Sequence, residues 1–134
     1  MEKMNKEVYN DKEDKILEEG THKGYKYMIM RLKTHPVCYI KLPDDSELRE
    51  FSYDDIHLDV HGGLTYKSED EEGHTWIGWD YAHSGDYMNY SFKNNYIREN
   101  EKKWTFEELK AHVKDAISQI PYLKKYSKEE YYFA

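Results

Sequence analysis

The chain has 134 residues, of which 38% are hydrophobic, and it carries a formal net charge of −7 at pH 7. This length suits one domain with one buried core. Nucleic-acid binding depends mainly on Lys and Arg side chains that neutralise phosphates, so the acidic balance argues against a general nucleic-acid binder.

Aromatic residues make up 16% of the chain, and Tyr alone occurs 14 times. Because Tyr is amphipathic, this composition predicts either a ring-lined ligand pocket or an aromatic protein-binding face. The single cysteine, Cys38, excludes an intrachain disulfide, and its apolar neighbours predict a buried, unreactive thiol. No apolar run approaches the roughly 20 residues that cross a bilayer, and the start lacks a signal segment. We therefore expect a cytoplasmic protein without membrane association.

The first 20 residues are highly charged and have few apolar positions. We expect residues 1–20 to form a mobile N-terminal arm or a loosely docked short helix, followed by a single domain over residues 21–134. Two runs rich in β-favouring residues come next, Gly24–Lys33 and Val37–Pro43. The short connection between them contains Pro36, which predicts a β-hairpin.

The middle of the chain carries two glycine-containing segments. Leu58–Tyr66 predicts strand, bend and strand, because Gly62-Gly63 permits backbone angles that other residues avoid. The charged run Ser68–Gly73 predicts a solvated hairpin tip.

The strand predicted over Thr75–Tyr81 places Trp76 and Trp79 on opposite faces. Asp80 falls on the face of Trp76, and the missing side chain of Gly78 predicts a notch between them.

Residues 82–103 predict a long connection that is functional or wrapped over the sheet. A helix is predicted over residues 105–120, because Thr105 and Glu108 form a capping box and Pro121 ends the periodic pattern. Its apolar stripe consists of Phe106, Leu109, Val113, Ala116, Ile117 and Ile120. The fold class is therefore α+β, with an antiparallel β-sheet packed against a C-terminal amphipathic helix.

A metal site is one interpretation of the polar residues in the middle third. His61, Asp80, His83 and Asp86 supply two imidazoles and two carboxylates, a donor set that catalytic zinc, manganese or iron uses. The alternative is that His83 and Asp86 simply close a turn around Ser84-Gly85. No established metal signature is present.

A nucleotide-type ligand is the second interpretation. The two glycines would present backbone N–H groups to anionic oxygens, the two indoles would offer flat faces to a base, and a carboxylate would accept from ribose hydroxyls. The alternative is that the Trp side chains fill the core and the glycines only bend strands. The candidate ligand-binding residues are His61, Gly62, Gly63, Trp76, Trp79, Asp80, His83 and Asp86.

Acid–base catalysis is the third interpretation, in which His61 or His83 pairs with Asp59, Asp80 or Asp86. No nucleophile elbow surrounds Ser84. The remaining imidazoles are expected to face solvent, namely those of His22, His35, His57, His74 and His112.

Four segments of the chain together form a recognisable pattern, namely Tyr53-Asp54-Asp55, His61 to Tyr66, Trp76 to Asp80 and Ala82 to Asp86. With these segments the chain resembles a family of short, mostly uncharacterised proteins of bacteria, phages and prophages. The resemblance covers roughly Gly24 to Ile120, although Tyr81 stands where the family has a smaller residue, often Cys. The resemblance implies a shared site and a phage or prophage origin. Small phage proteins of this size often antagonise host immunity, by sequestering a signalling nucleotide or by blocking an effector.

The leading prediction is a non-enzymatic binder of a nucleotide-type small molecule, acting as a phage counter-defence sponge in the host cytoplasm. One alternative is a metal-dependent hydrolase of a phosphorylated small molecule. Another is an acidic, Tyr-rich inhibitor that binds a host defence protein or nucleic-acid enzyme. No particular cofactor is predicted, and a homo-oligomer is left open.

Overall fold

A computed structural model describes residues 6–9, 13–89, 101–125 and 131–133 of the chain. Parts of the predicted arm, of the connection over residues 82–103 and of the C-terminal tail lie outside the described residues. The elements are β1 Lys15–His22, β2 Tyr25–Arg31, β3 Pro36–Lys41, β4 Ile56–His57, β5 Tyr66–Glu69, β6 Thr75–Asp80, α1 Phe106–Gln119, β7 Leu123–Lys125 and β8 Tyr131–Phe133.

The main sheet has five antiparallel strands in the order β1-β2-β3-β6-β5. A smaller sheet places β8 between β4 and β7, parallel to β4 and antiparallel to β7. The prediction of an α+β fold with an antiparallel sheet and a C-terminal helix is confirmed. Within the described residues, no helix has both the length and the apolar character that a bilayer crossing requires.

The predicted boundary between an arm and the domain at residue 20 is wrong. Strand β1 begins at Lys15 and pairs with β2 from Lys15↔Arg31 to His22↔Tyr25. The side chains of Val8 and Leu17 are both buried in the core. An edge strand is held by backbone pairing with its neighbour and needs only a few apolar side chains. The few apolar residues of this segment are therefore enough for β1 to form.

Both predicted hairpins are confirmed. Strands β2 and β3 pair in register around the turn at residues 32–35. Strands β5 and β6 enclose the charged tip, where the Asp70 N–H donates to the His74 carbonyl at 2.9 Å.

The predicted strand, bend and strand over Leu58–Tyr66 is wrong. Strand β4 ends at His57 and β5 begins only at Tyr66. The intervening segment forms a turn, because Gly62 and Gly63 have φ angles of +72° and +81° that interrupt a strand.

Helix α1 begins and ends as predicted. Thr105 accepts from the Glu108 N–H, and the Glu108 side chain accepts from the Thr105 N–H in return. Ile120–Tyr122 then forms a 3-10 turn that contains Pro121. The buried face of α1 packs in one core with the inner face of the sheet, which includes Ile29, Ile40 and Ile77.

The two faces of β6 differ as predicted. The Trp79 side chain is buried in the core at 1% exposure, whereas Trp76 lies half-buried on the opposite face. The predicted notch at Gly78 is occupied, because a Cβ atom there would lie 2.5 Å from the Tyr39 ring. Tyr39 therefore fills the space that the missing side chain of Gly78 was expected to leave open.

Candidate functional site

A tight turn presents His61 to solvent. The Gly63 N–H donates to the Val60 carbonyl at 2.9 Å, with His61 and Gly62 between them. Gly62 has a φ of +72°, as the third residue of a type II turn requires. A Cβ atom on Gly62 would overlap the His83 ring. The turn therefore needs glycine at this position both for its backbone angles and for the close approach of His83.

A second turn presents Asp86. The Asp86 N–H donates to the His83 carbonyl at 2.8 Å, and Gly85 between them has a φ of +94°. The predicted turn of His83 and Asp86 around Ser84-Gly85 is thus confirmed. The turn also has a further effect, because it directs the Asp86 carboxylate inward to 4% exposure.

The Asp86 carboxylate is the hydrogen-bonding centre of the site. His61 Nε2 lies 2.9 and 2.8 Å from its two oxygens. The Trp104 indole N–H donates to Oδ1 at 2.9 Å, and the His83 backbone N–H donates to Oδ2 at 2.9 Å. Burial alone would raise the pKa of Asp86, but these hydrogen bonds outweigh it and hold the pKa below its ordinary value of 3.8. Asp86 is therefore a buried carboxylate that stays ionised.

Asp86 orients the His61 imidazole. A carboxylate only accepts, so Nε2 of His61 carries the proton and Nδ1 of the neutral ring is an acceptor. Within the described residues, the buried side-chain N and O atoms that lack a hydrogen bond belong to Arg31 and His83. Nδ1 of His61 has no bond there either, and it therefore reaches solvent.

Trp104 joins the site from the segment that precedes α1. The Lys102 N–H donates to the Gly85 carbonyl at 2.8 Å, and the Tyr87 N–H donates to the Lys102 carbonyl at 2.9 Å. This pairing brings the half-buried Trp104 ring to 5.0 Å from the His61 ring, centroid to centroid. The sequence interpretation missed Trp104. The sequence did contain a signal for Trp104, which directly precedes the N-cap Thr105. An apolar residue at that position commonly packs against the start of the helix.

His112 joins the site from α1, and the prediction that it simply faces solvent is wrong, because its ring is half-buried and its Nδ1 is bonded to the Tyr81 hydroxyl. Its ring lies 5.2 Å from Trp104 and 6.4 Å from His61, centroid to centroid. Burial, with a smaller effect of His61, lowers the pKa of His112 below its ordinary value of 6.5. Its spacing of three from the buried Leu109 places it at the edge of the apolar stripe, a signal that the sequence contained.

Tyr81 lies beneath these rings and is fully buried. Its ring stacks on His61 with a centroid distance of 4.7 Å and an interplanar angle of 8°. Its hydroxyl lies 2.7 Å from His112 Nδ1 and accepts from the Trp79 indole N–H at 3.0 Å. Trp79 thus supports the site from the core without lining it.

An open cleft of about 340 Å³ lies between the loop before His61 and α1. This volume falls in the range of small-ligand sites. Gln119 fixes one wall, since its side chain accepts from the Asp59 N–H and donates to the Asp59 carbonyl, both at 2.8 Å. The lining residues are Asp59, Val60, His61, Trp104, His112 and Asp115.

Asp80 and His83 form a second pair beside the first. His83 Nε2 lies 3.2 Å from Asp80 Oδ1, but the geometry is not that of a hydrogen bond. The other Asp80 oxygen accepts from the Thr65 hydroxyl at 2.9 Å. The His83 and His61 rings are 5.6 Å apart, edge to face.

The four predicted metal ligands therefore lie in two adjacent pairs. Each imidazole is next to its own carboxylate rather than directed at a common point. Within the part of the chain that the structure describes, the group of three donors that approach one another closely enough to hold an ion is Asp70, Glu72 and His74, at the hairpin tip. Asp70 there accepts backbone N–H bonds from the two other residues, an arrangement that closes the turn without an ion.

Of the eight predicted site residues, the structure brings together His61, Gly62, Asp80, His83 and Asp86. It does not bring the indoles to them: Trp79 is in the core and Trp76, whose N–H donates to Asp70 at 3.0 Å, lies across the sheet. The Gly63 N–H, which was expected to bond an anionic oxygen of the ligand, donates instead to the Val60 carbonyl.

No family model matches the chain, and neither a curated protein nor a solved structure matches it. The resemblance to short phage and prophage proteins stays a prediction.

Proposed function

We propose that the protein binds a small nucleotide-type ligand in the cleft between the His61 turn and α1. The observation that carries this proposal is the convergence of two imidazoles and one indole on a cleft of about 340 Å³. A few polar groups beside aromatic surface are typical of small-molecule sites.

The Trp104 indole takes the role that was first assigned to Trp76 and Trp79. The heterocycle of the ligand packs against the exposed part of this ring, and the imidazoles of His61 and His112 bond its polar atoms. Asp86 favours binding indirectly. Because its carboxylate bonds both His61 and Trp104, these rings lose little rotational freedom when a ligand arrives.

Sequestration of a nucleotide-type signal in the host cytoplasm is the biological role that we propose for such binding. It requires retention of an unaltered ligand.

General acid–base catalysis is a second candidate, favoured by the His61–Asp86 pair. An imidazole oriented by a buried carboxylate, with its other nitrogen open to solvent, is the arrangement of a general base. It would act on the same ligand in the same cleft.

The test is isothermal titration calorimetry with a panel of nucleosides and nucleotides, followed by mass spectrometry of the recovered ligand. We expect Trp104→Leu to weaken binding by about 1–3 kcal/mol, the usual contribution of one aromatic ring to binding a base. Trp76→Leu removes the same kind of side chain across the sheet and should leave the affinity unchanged.

Thermal unfolding of both variants checks that they fold. Equal ligand affinities in Trp104→Leu and Trp76→Leu would refute binding in this cleft. Absence of nucleoside and nucleotide binding by the wild type would refute the proposed function. If the wild type returned a chemically altered ligand and Asp86→Asn did not alter it, the protein would be a catalyst rather than a sequestering binder.

A further inference from the structure

The hydrogen bonds beneath the cleft determine which nitrogen of His112 carries its proton. An indole N–H only donates, so Tyr81 accepts from Trp79 at 3.0 Å and keeps its own proton for another acceptor. His112 Nδ1 is that acceptor, at 2.7 Å. The Cys38 thiol also lies beside the phenol, but sulfur is the weaker acceptor.

The proton of neutral His112 is therefore on Nε2. This nitrogen has no bond among the described residues and is not one of their buried unpartnered atoms, so it reaches solvent. His112 is a donor there, whereas His61, whose Nε2 proton is bonded to Asp86, is an acceptor. The two imidazoles that line the cleft thus have one donor and one acceptor nitrogen that reach solvent.

The rim of the cleft carries negative charge. Asp59 and Asp115 both line it and are exposed, and among the described residues that line it none is Lys or Arg. A phosphate group would meet two carboxylates there, and the nearby Lys102 ammonium, 4.6 Å from the centroid of the Trp104 ring, is already paired with Glu108 at 2.7 Å.

We infer that Tyr81 is a positioning residue that sets His112 as a hydrogen-bond donor, and that the cleft takes the uncharged base of a nucleoside rather than a phosphate group. The inference rests on the proposed function for its ligand class. It goes beyond that function in naming the part of the ligand that is bound and the residue that sets the specificity. A base with an N–H beside a carbonyl supplies a donor for His61 and an acceptor for His112.

The tautomer is measured without any ligand. Two-dimensional ¹H–¹⁵N spectra of histidine-labelled protein, recorded above pH 7.5, distinguish a protonated Nε2 from a protonated Nδ1. We expect Nε2–H for His112 in the wild type and in Tyr39→Phe, a matched control on the opposite face of the sheet. Tyr81→Phe should give a mixture of tautomers. Nδ1–H in the wild type would overturn the assignment, even if Tyr81→Phe failed to fold.

The ligand class is measured by titration with uridine, guanosine, their N-methylated forms 3-methyluridine and 1-methylguanosine, and their 5′-monophosphates. We expect one of the two nucleosides to bind at least as tightly as its monophosphate and to lose roughly 2- to 10-fold in affinity on methylation, as for one neutral hydrogen bond. Tyr81→Phe should weaken its binding by a similar factor.

Tighter binding of the monophosphates would overturn the ligand class while leaving the proposed function in place. Absence of binding by every compound of the wider panel would instead remove the proposed function, and with it the ligand class.

Discussion

Gly62 satisfies two separate steric requirements of the turn that carries His61. Its φ of +72° belongs to the left-handed region, and the His83 ring occupies the place of a side chain. Gly63 shares the left-handed backbone, with a φ of +81°, but a Cβ atom there would have no neighbour within 4 Å. Substituting each glycine in turn therefore separates the effect of the His83 ring next to Gly62 from the effect of the left-handed backbone.

We expect Gly63→Ala to lower the free energy of unfolding by about 1–2 kcal/mol, the cost of a left-handed alanine. Gly62→Ala should lower it by about 1–3 kcal/mol more, because overlap with His83 adds to the backbone strain. Chemical denaturation of both variants measures the difference. Equal destabilisation would show that His83 moves away freely.

The loop before His61 is held to α1 by Gln119, an interaction between two elements. Its amide satisfies both backbone groups of Asp59, as a neighbouring strand would. Its side chain is only 8% exposed, so water does not readily replace these bonds. Gln119 thereby ties the loop that lines one side of the cleft to the helix that lines the other.

We expect Gln119→Leu to lower the free energy of unfolding by about 1–3 kcal/mol, because it leaves the Asp59 N–H and carbonyl unpaired. Ligand affinity should fall with it, since the His61 turn loses its attachment. Lys114→Leu introduces the same residue at an exposed position of α1 and serves as the control. Calorimetric unfolding and titration of both variants provide the comparison, and equal effects would argue against the attachment.

Two groups of the site link the stability of the whole molecule to pH. The pKa of His112 is lowered in the folded state mainly by burial, so the unfolded chain binds a proton first as the pH falls below about 6.5. Stability then decreases with falling pH. The pKa of Asp86 is also lowered, so its contribution is present above about pH 4 and is lost as the pH falls through the folded-state pKa.

We expect the free energy of unfolding to fall between pH 7 and pH 5, and to fall less in His112→Asn. Asn keeps an acceptor for the Tyr81 hydroxyl but does not titrate. Denaturation at several pH values measures both slopes, with His22→Asn on the edge strand β1 as the control. If the free energy of unfolding of His112→Asn changed with pH as steeply as that of the wild type, His112 would not contribute to the pH dependence of stability.

Much of the fold followed from rules that act over a few residues. The capping box of Thr105 and Glu108, the two hairpins and the alternation that separates Trp76 from Trp79 all depend on backbone geometry and neighbouring side chains. The start of β1 did not follow, because an edge strand is decided by the partner it pairs with.

By itself, the sequence predicted that His61, Asp80, His83 and Asp86 belong to one site, since His61, His83 and Asp86 lie on two short glycine turns and Asp80 ends strand β6. Only the tertiary structure decided which rings complete the site. His61 and Asp86 are 25 positions apart, and His112 reaches them from a helix. Trp104 replaces the predicted indoles because β6 directs Trp79 into the core and Trp76 away from the helix. Such contacts depend on how the helix and loops pack on the sheet, which no local pattern encodes.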